Sequence, residues 1–110
     1  MDEVCYCDIV KNINTKSKYF GQYAVSCDNA HNENGGAYFR YGDGRVVYTK
    51  LKSFRLVKRF REGEKIRNFT VIDVCYWGTL RVEYPNRLRN YLRGDALYDL
   101  VRDFTVATVV

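Results

Sequence analysis

Residues 69–84 read FTVIDVCYWGTLRVEY, and this stretch decides the fold class. Up to Trp77 nearly every side chain is β-branched, aromatic or otherwise apolar, with Thr70 and Asp73 as the polar exceptions. Apolar residues on both faces are typical of a central strand. After a glycine turn, residues 80–84 alternate between apolar and charged side chains, which is the pattern of a half-exposed strand. The stretch therefore predicts two strands joined by a tight turn.

Upstream of this stretch, further strands are predicted over residues 4–13, 19–27 and 37–41. In the second of them, period two places four side chains on one face: Tyr19, Tyr23, Val25 and Cys27. A polar loop over residues 28–36 separates the second strand from the third, and a tight turn at Gly42-Asp43-Gly44 ends the third.

Residues 45–61 fit two interpretations. Val47, Leu51, Phe54 and Val57 have the spacing of a helical stripe, while the same segment also fits two strands with a bulge near Ser53. Strands are favoured, because Glu62-Gly63 then closes a hairpin into residues 66–77.

The C-terminal third predicts helix. Pro85 ends the preceding strand and Asn86 can cap a short helix carrying Leu88, Tyr91 and Leu92. After Gly94, Asp95 can cap a second helix whose apolar stripe is Leu97, Leu100, Val101 and Phe104. Residues 105–110 predict a final strand that would permit a homodimer through its edge.

Together, these elements predict a mainly β (α+β) fold. We expect a small rolled sheet or partly open β-barrel of five to seven antiparallel strands, with one late helix packed on it. The 110 residues fit a single domain spanning 1–110, and 46% hydrophobic with 28% charged residues excludes a disordered chain.

The sequence has no signal-peptide or membrane-spanning pattern, so we expect a cytoplasmic protein without a membrane partner. Its four cysteines should then be reduced. A Tyr-, Asn- and Lys-rich composition with one proline suits an AT-rich genome, which makes a viral or phage accessory protein, acting in the host cytoplasm, one interpretation.

A basic block between Arg40 and Arg67 is the most informative feature for function. It holds ten cations against three acids, a local excess of seven in a chain whose net charge is +5. Cations neutralise phosphates, and exposed aromatic rings stack on unpaired bases. The residues predicted to bind a partner are Arg45, Tyr48, Lys50, Lys52, Arg55, Lys58, Arg59 and Arg61, with Tyr41 and Phe54 as further stacking groups. Alternatively, the cations occupy the solvent-exposed face of the strands while the aromatic rings point into the core.

Catalytic and metal motifs are weak. The Cys27/His31 pair lacks an orienting group and an oxyanion site, and the cysteines lack the paired spacing of zinc knuckles. We therefore expect no catalytic residue, no cofactor and no metal.

Two functions remain open at this point. The first is a non-enzymatic binding protein whose basic, aromatic-rich sheet engages nucleic acid, single-stranded in particular, or a nucleic-acid-handling machine. The alternative is a phage-type inhibitor or adaptor that meets an acidic surface of a host defence protein such as a nuclease. For it, Tyr76, Trp77 and Tyr84 around the Gly78 turn form a second candidate patch. A compact enzyme using Cys27 and His31 is a third, weaker candidate.

Overall fold

Two antiparallel sheets and a short helical segment form the structure, a computed structural model that describes residues 1–32, 35–75 and 77–105. The strands are β1 (Ile9–Asn12), β2 (Tyr23–Ser26), β3 (Gly36–Tyr41), β4 (Val46–Lys50), β5 (Phe54–Lys58), β6 (Lys65–Ile66), β7 (Phe69–Cys75), β8 (Thr79–Glu83) and β9 (Arg89–Leu92). The helices are α1 (Asp95–Tyr98) and α2 (Val101–Thr105). The mainly β fold class is confirmed. The described part of the chain has nine strands rather than five to seven, because they divide between two sheets.

The first sheet has the strand order β4-β3-β2-β1-β5, so its fifth strand returns to pair with the first. A single 3₁₀ turn, Leu51–Ser53, carries the chain from β4 to β5. In a flat sheet β3 and β5 would lie three strand spacings apart, about 14 Å. The rings of Phe39 on β3 and Phe54 on β5 nevertheless lie 4.1 Å apart, so the sheet is strongly rolled.

The inner face of this roll is a closed apolar core. Phe39, Tyr41, Leu51 and Phe54 are at most 1% exposed there. The N-terminal amine closes one end by donating hydrogen bonds to the backbone carbonyls of Leu51 and Phe54, at 3.3 and 3.2 Å. The first five strands are thus held together by side chains of one face.

The outer face of the roll packs against the second sheet. That sheet is a meander of order β6-β7-β8-β9. Ile9 and Val25 of the first sheet share a core with Phe69, Val71 and Leu80 of the second. The helices complete this core with Leu97, Leu100 and Val101. No helix within the described ranges is long and apolar enough to cross a membrane.

The strand interpretation of residues 45–61 is confirmed for β4 and β5, and a 3₁₀ turn, Leu51–Ser53, stands where a bulge near Ser53 was expected. The expected hairpin from these residues into 66–77 is wrong, because β5 pairs with β1 and β7 pairs with β6. The prediction that Tyr19 shares one face of the second strand with Tyr23, Val25 and Cys27 is also wrong. The Tyr19 ring lies before β2 and stacks on Tyr41 in the inner core, 4.0 Å between centroids.

The first helix predicted after Pro85 is wrong. Residues Arg89–Leu92 form β9, which pairs with β8, and Asn86 accepts a hydrogen bond from the Leu88 N–H in the turn between them. Leu88 is 64% exposed, so it is not part of a buried helical stripe. The second helical stripe is confirmed for Leu97, Leu100 and Val101. The predicted terminal strand is wrong at its first residue, because Thr105 ends α2, and the remainder of that prediction lies outside the described residues.

Candidate binding surface

An exposed aromatic group lies where β4 forms the edge of the rolled sheet. Exposed and half-buried residues alternate along β4, which turns Val46, Tyr48 and Lys50 to the outer face. Register places Tyr38 of β3 directly opposite Tyr48. Trp77, from the turn between β7 and β8, reaches the same place from the second sheet. We call these five residues the β4 surface.

The three rings of the β4 surface form a chain of edge contacts. The centroids of Tyr38 and Tyr48 lie 5.3 Å apart at an interplanar angle of 69°, and those of Tyr38 and Trp77 lie 5.9 Å apart at 82°. In edge-to-face packing of this kind the edge of one ring meets the face of the next, which holds the rings in place. Tyr38, Tyr48 and Trp77 are 43%, 58% and 52% exposed, so a ligand can reach part of each of these side chains.

Two backbone features position these rings. An ideal Cβ on Gly36 would lie 2.7 Å from Cε1 of Tyr48, so the Tyr48 ring rests on a spot that only glycine leaves open. Trp77 has φ 66°, in the left-handed region that bulky residues rarely adopt. Strained backbone of this kind concentrates at functional sites.

Arg40 on β3 places a further cation beside Trp77. Its Nη2 donates to Oδ1 of Asp95 at 2.6 Å. Its Nη1 is buried and has no hydrogen-bond partner among the described residues. A cavity of about 40 Å³ adjoins Arg40 and is lined in part by Cys27, Trp77 and Leu97. Because an unpaired buried donor is costly, Nη1 needs an acceptor, and the cavity has room for a water molecule or a single acceptor oxygen.

The basic block does not converge on this surface. Lys50 lies on it, and the exposed Lys52 follows in the 3₁₀ turn; neither lysine has an ion pair among the described residues. Arg45 faces the other way and pairs with Asp43 at 3.5 Å. Arg55 is exposed at the opposite edge of the sheet, across from Lys11. Arg61 is exposed in the turn that precedes β6.

Two predicted site residues are engaged in holding the fold together. Lys58 pairs with Glu64. Arg59 binds the fully buried Asp8 through contacts of 2.8 to 3.2 Å and also reaches Glu3. Burial raises the pKa of the Asp8 carboxyl against the opposing effect of this arginine. These pairs leave both cations less available to a ligand than Lys50.

Of the predicted stacking groups, only Tyr48 is placed to stack. Tyr41 and Phe54 are 0% and 1% exposed in the inner core, so the expectation that they stack is wrong. Sequence reasoning missed Tyr38 as a partner for Tyr48. The signal was present, because a hairpin centred on Gly42-Asp43-Gly44 pairs positions 38 and 48.

The second predicted aromatic patch is not a single surface. Trp77 lies at one end of β8 and Tyr84 at the other, where the Tyr84 ring packs on Phe69 at 5.9 Å. Tyr76 lies outside the described residues.

Comparisons with protein-family models, with curated proteins and with solved structures find no match to this chain.

The candidate dyad of Cys27 and His31 has surroundings unlike those of an active thiol. Cys27 is buried, and desolvation raises the pKa of its thiol, whereas reactive cysteines have lowered values. The His31 side chain is 82% exposed and faces Glu3 at 3.9 Å. Within the described ranges, no group of three His, Cys, Asp or Glu side chains is placed to hold a metal.

Proposed function

We propose that this protein is a non-enzymatic binding protein that takes single-stranded nucleic acid on the β4 surface. The observation that carries the proposal is the row of three accessible rings, Tyr48, Tyr38 and Trp77, beside the exposed Lys50. Each exposed ring face offers a base about 1–3 kcal/mol of stacking, whatever the sequence. Lys50 and the neighbouring Lys52 supply charge for phosphates.

Arg40 adds a reason why the surface should take a ligand with acceptor oxygens. Its Nη1 donor has no partner among the described residues and adjoins a cavity at the base of Trp77. Phosphate and base carbonyl oxygens are suitable acceptors. Two acids close to this surface are engaged in hydrogen bonds, since Asp28 accepts the Tyr38 N–H at 2.8 Å and Asp95 accepts from Arg40.

The experiment uses Trp77, the only tryptophan of the chain, as its reporter. Single-stranded oligonucleotides of about 16 nucleotides should quench its fluorescence, because that length fills one sheet-sized site. Tyr48→Ala should weaken binding about fivefold or more without changing the salt dependence, because stacking is not an ionic interaction. Lys50→Ala should instead reduce the slope of log affinity against log salt by about 0.7.

Lys16→Ala is the matched control, since it removes one exposed positive charge from a turn outside the β4 surface. It should leave both affinity and slope close to those of the unaltered protein. Affinity no tighter than about 10⁻⁶ M for every oligonucleotide at physiological salt would contradict the proposal, because non-specific attraction alone reaches that level.

A second candidate is the inhibitor or adaptor function, and the open edge of β4 favours it. In the β3–β4 register the N–H groups of Val46, Tyr48 and Lys50 point away from β3, where a partner strand can add. Lys50 has φ −68°, the value that proline requires. Lys50→Pro therefore removes one outward donor with little strain.

Comparison with Lys50→Ala separates the two functions. Both substitutions remove the charge, but only proline blocks strand addition. Equal losses of oligonucleotide binding would support the nucleic-acid function. A protein partner that binds Lys50→Ala and rejects Lys50→Pro would instead support the adaptor function. Free Cys5 and Cys27 thiols suit the cytoplasm, which we propose as the location of either function.

A further inference from the structure

A second candidate site lies on the second sheet, at the end opposite to Trp77. The chain turns at this end twice, once between β6 and β7 at Arg67-Asn68 and once between β8 and β9 at residues 85–87. Because antiparallel strands of a meander bring alternate turns to the same end, the two turns face each other. An open cleft of about 570 Å³ lies between them.

The backbone at both turns is strained in the same way. Arg67 has φ 53° and Arg87 has φ 65°, in the left-handed region that glycine adopts without cost. Arg87 ends a three-residue hairpin loop, where a glycine is the common residue. An arginine at such a position is less stable than glycine, and strain of this kind is a feature of binding sites.

The side chain of Arg67 has a structural explanation. It donates to both carboxylate oxygens of Asp103, at 2.7 and 2.8 Å, and to Asp99 at 3.3 Å. These bonds tie the β6–β7 turn to the helical segment. Arg87 lies on the rim of the same cleft and forms no ion pair among the described residues. No comparable set of side-chain hydrogen bonds within the described ranges offsets the backbone strain at Arg87.

The other groups lining the cleft suit a doubly charged anion. Lys65 is exposed and, within the described part of the chain, has no acidic partner. Asn68 and Thr70 supply uncharged donors. The one acid of the lining, Glu83, faces Arg89 at 3.6 Å. Two such cations with neutral donors match a phosphate monoester, which carries about −1.5 to −2 charge at neutral pH.

We propose that this cleft binds a terminal phosphate group through Arg87 and Lys65. Free nucleotides and the phosphorylated ends of nucleic-acid strands both present this chemistry. The half-buried Tyr84 ring beside the cations offers a flat wall for the attached nucleoside. The inference does not rest on the function proposed above, since it uses no residue of the β4 surface.

The test measures binding of four probes by isothermal titration calorimetry: inorganic phosphate, AMP, an oligonucleotide with a 5′ phosphate and the same oligonucleotide without it. The decisive variant is Arg87→Gly, because glycine suits the left-handed turn. We expect its melting temperature to equal or exceed that of the unaltered protein while its affinity for all phosphorylated probes falls about tenfold or more. Lys65→Ala should show a similar loss of affinity.

Two controls make the result specific. Lys16→Ala changes the net charge equally and should leave phosphate binding unchanged. Acetate, a monoanion, should bind more weakly than phosphate. AMP binding more tightly than the phosphorylated oligonucleotide identifies a free nucleotide as the ligand, and the reverse order identifies a strand end. If Arg87→Gly binds phosphate and AMP as the unaltered protein does, or if no phosphorylated probe binds, the site is overturned, whatever happens at the β4 surface.

Discussion

Replacing Arg59 by alanine should destabilise the fold strongly, although this arginine belongs to the block predicted to bind a partner. In the structure Arg59 lies against Asp8, which is 0% exposed. Three contacts of 3.1, 3.2 and 2.8 Å join the guanidinium to the carboxylate, and the Cys5 N–H adds a fourth at 2.9 Å. The pair connects the N-terminal segment to the chain just beyond β5.

The magnitude depends on the charge that remains buried after the substitution. Removing one partner of a buried ion pair costs about 3–5 kcal/mol, because the other charge stays buried without compensation. The Arg59 side chain is itself 30% exposed, so the lower end of this range applies. For a chain of 110 residues, about 3 kcal/mol corresponds to a fall in melting temperature of roughly 10–15 °C.

The loss should depend on pH in a defined direction. Burial already raises the pKa of Asp8 above its ordinary 3.8, and without Arg59 it should rise further. A carboxyl with a raised pKa binds its proton more tightly in the folded state. Stability is therefore lost as pH rises from 3.8 towards the raised pKa, and the full deficit is present above it. Arg59→Ala should accordingly be closest to the unaltered protein near pH 4.

Thermal and urea denaturation across pH 4 to 8 provide the measurement, with Arg61→Ala as the matched control. Arg61 is exposed, and its side chain has no ion pair among the described residues, so its loss should change stability by less than about 0.5 kcal/mol. Adding Asp8→Asn to Arg59→Ala should recover part of the loss. Equal stability of the two arginine variants at neutral pH would refute the reasoning.

Three further substitutions test other parts of the structure. Tyr41→Ala should cost about 3–5 kcal/mol in urea denaturation, whereas Tyr48→Ala, which removes only surface ring contacts, should cost about 1 kcal/mol or less; equal effects would show that the inner core is misassigned. Gly36→Ala should destabilise by about 1–3 kcal/mol and change the near-ultraviolet circular dichroism of Tyr48, because the new methyl group overlaps its ring; an unchanged spectrum would count against that contact. Arg67→Ala should lower the melting temperature slightly at neutral pH. Because Arg67 lowers the pKa of Asp103, this stabilisation is present above pH 3.8 and is lost as pH falls below it, so thermal melts of the two proteins should converge in acid.

The strands with clear alternation were predictable from the sequence, and so was the strand character of residues 45–61. Residues 88–92 were not, because Leu88, Tyr91 and Leu92 have helical spacing by coincidence. The decisive fact is tertiary: β8 offers a free edge, and the segment pairs with it. Local propensity is overridden where a neighbouring strand supplies backbone hydrogen bonds.

The candidate site was predictable only in part. A run of cations along the chain does not say which face each side chain takes, and Arg45 and Lys50 face opposite ways on or beside one strand. Asp8, the partner of Arg59, lies 51 residues away in the sequence, and a local sequence pattern does not predict a contact over that separation. Tyr48 could be found, since an aromatic residue at an alternating position beside a glycine turn has a defined cross-strand neighbour.

The return of β5 to β1 has a consequence for how the chain folds. Every pairing in the second sheet joins consecutive strands, so its loops are short and close quickly. The ladder between β1 and β5 instead joins Asn12 to Phe54 and Ile9 to Lys58, which lie more than forty positions apart. Contacts between residues so far apart in the sequence slow folding, because the chain loses conformational entropy before the contacts form. We therefore expect the meander of β6 to β9 to acquire protection from hydrogen exchange first, and the amides of the β1–β5 ladder to acquire it last.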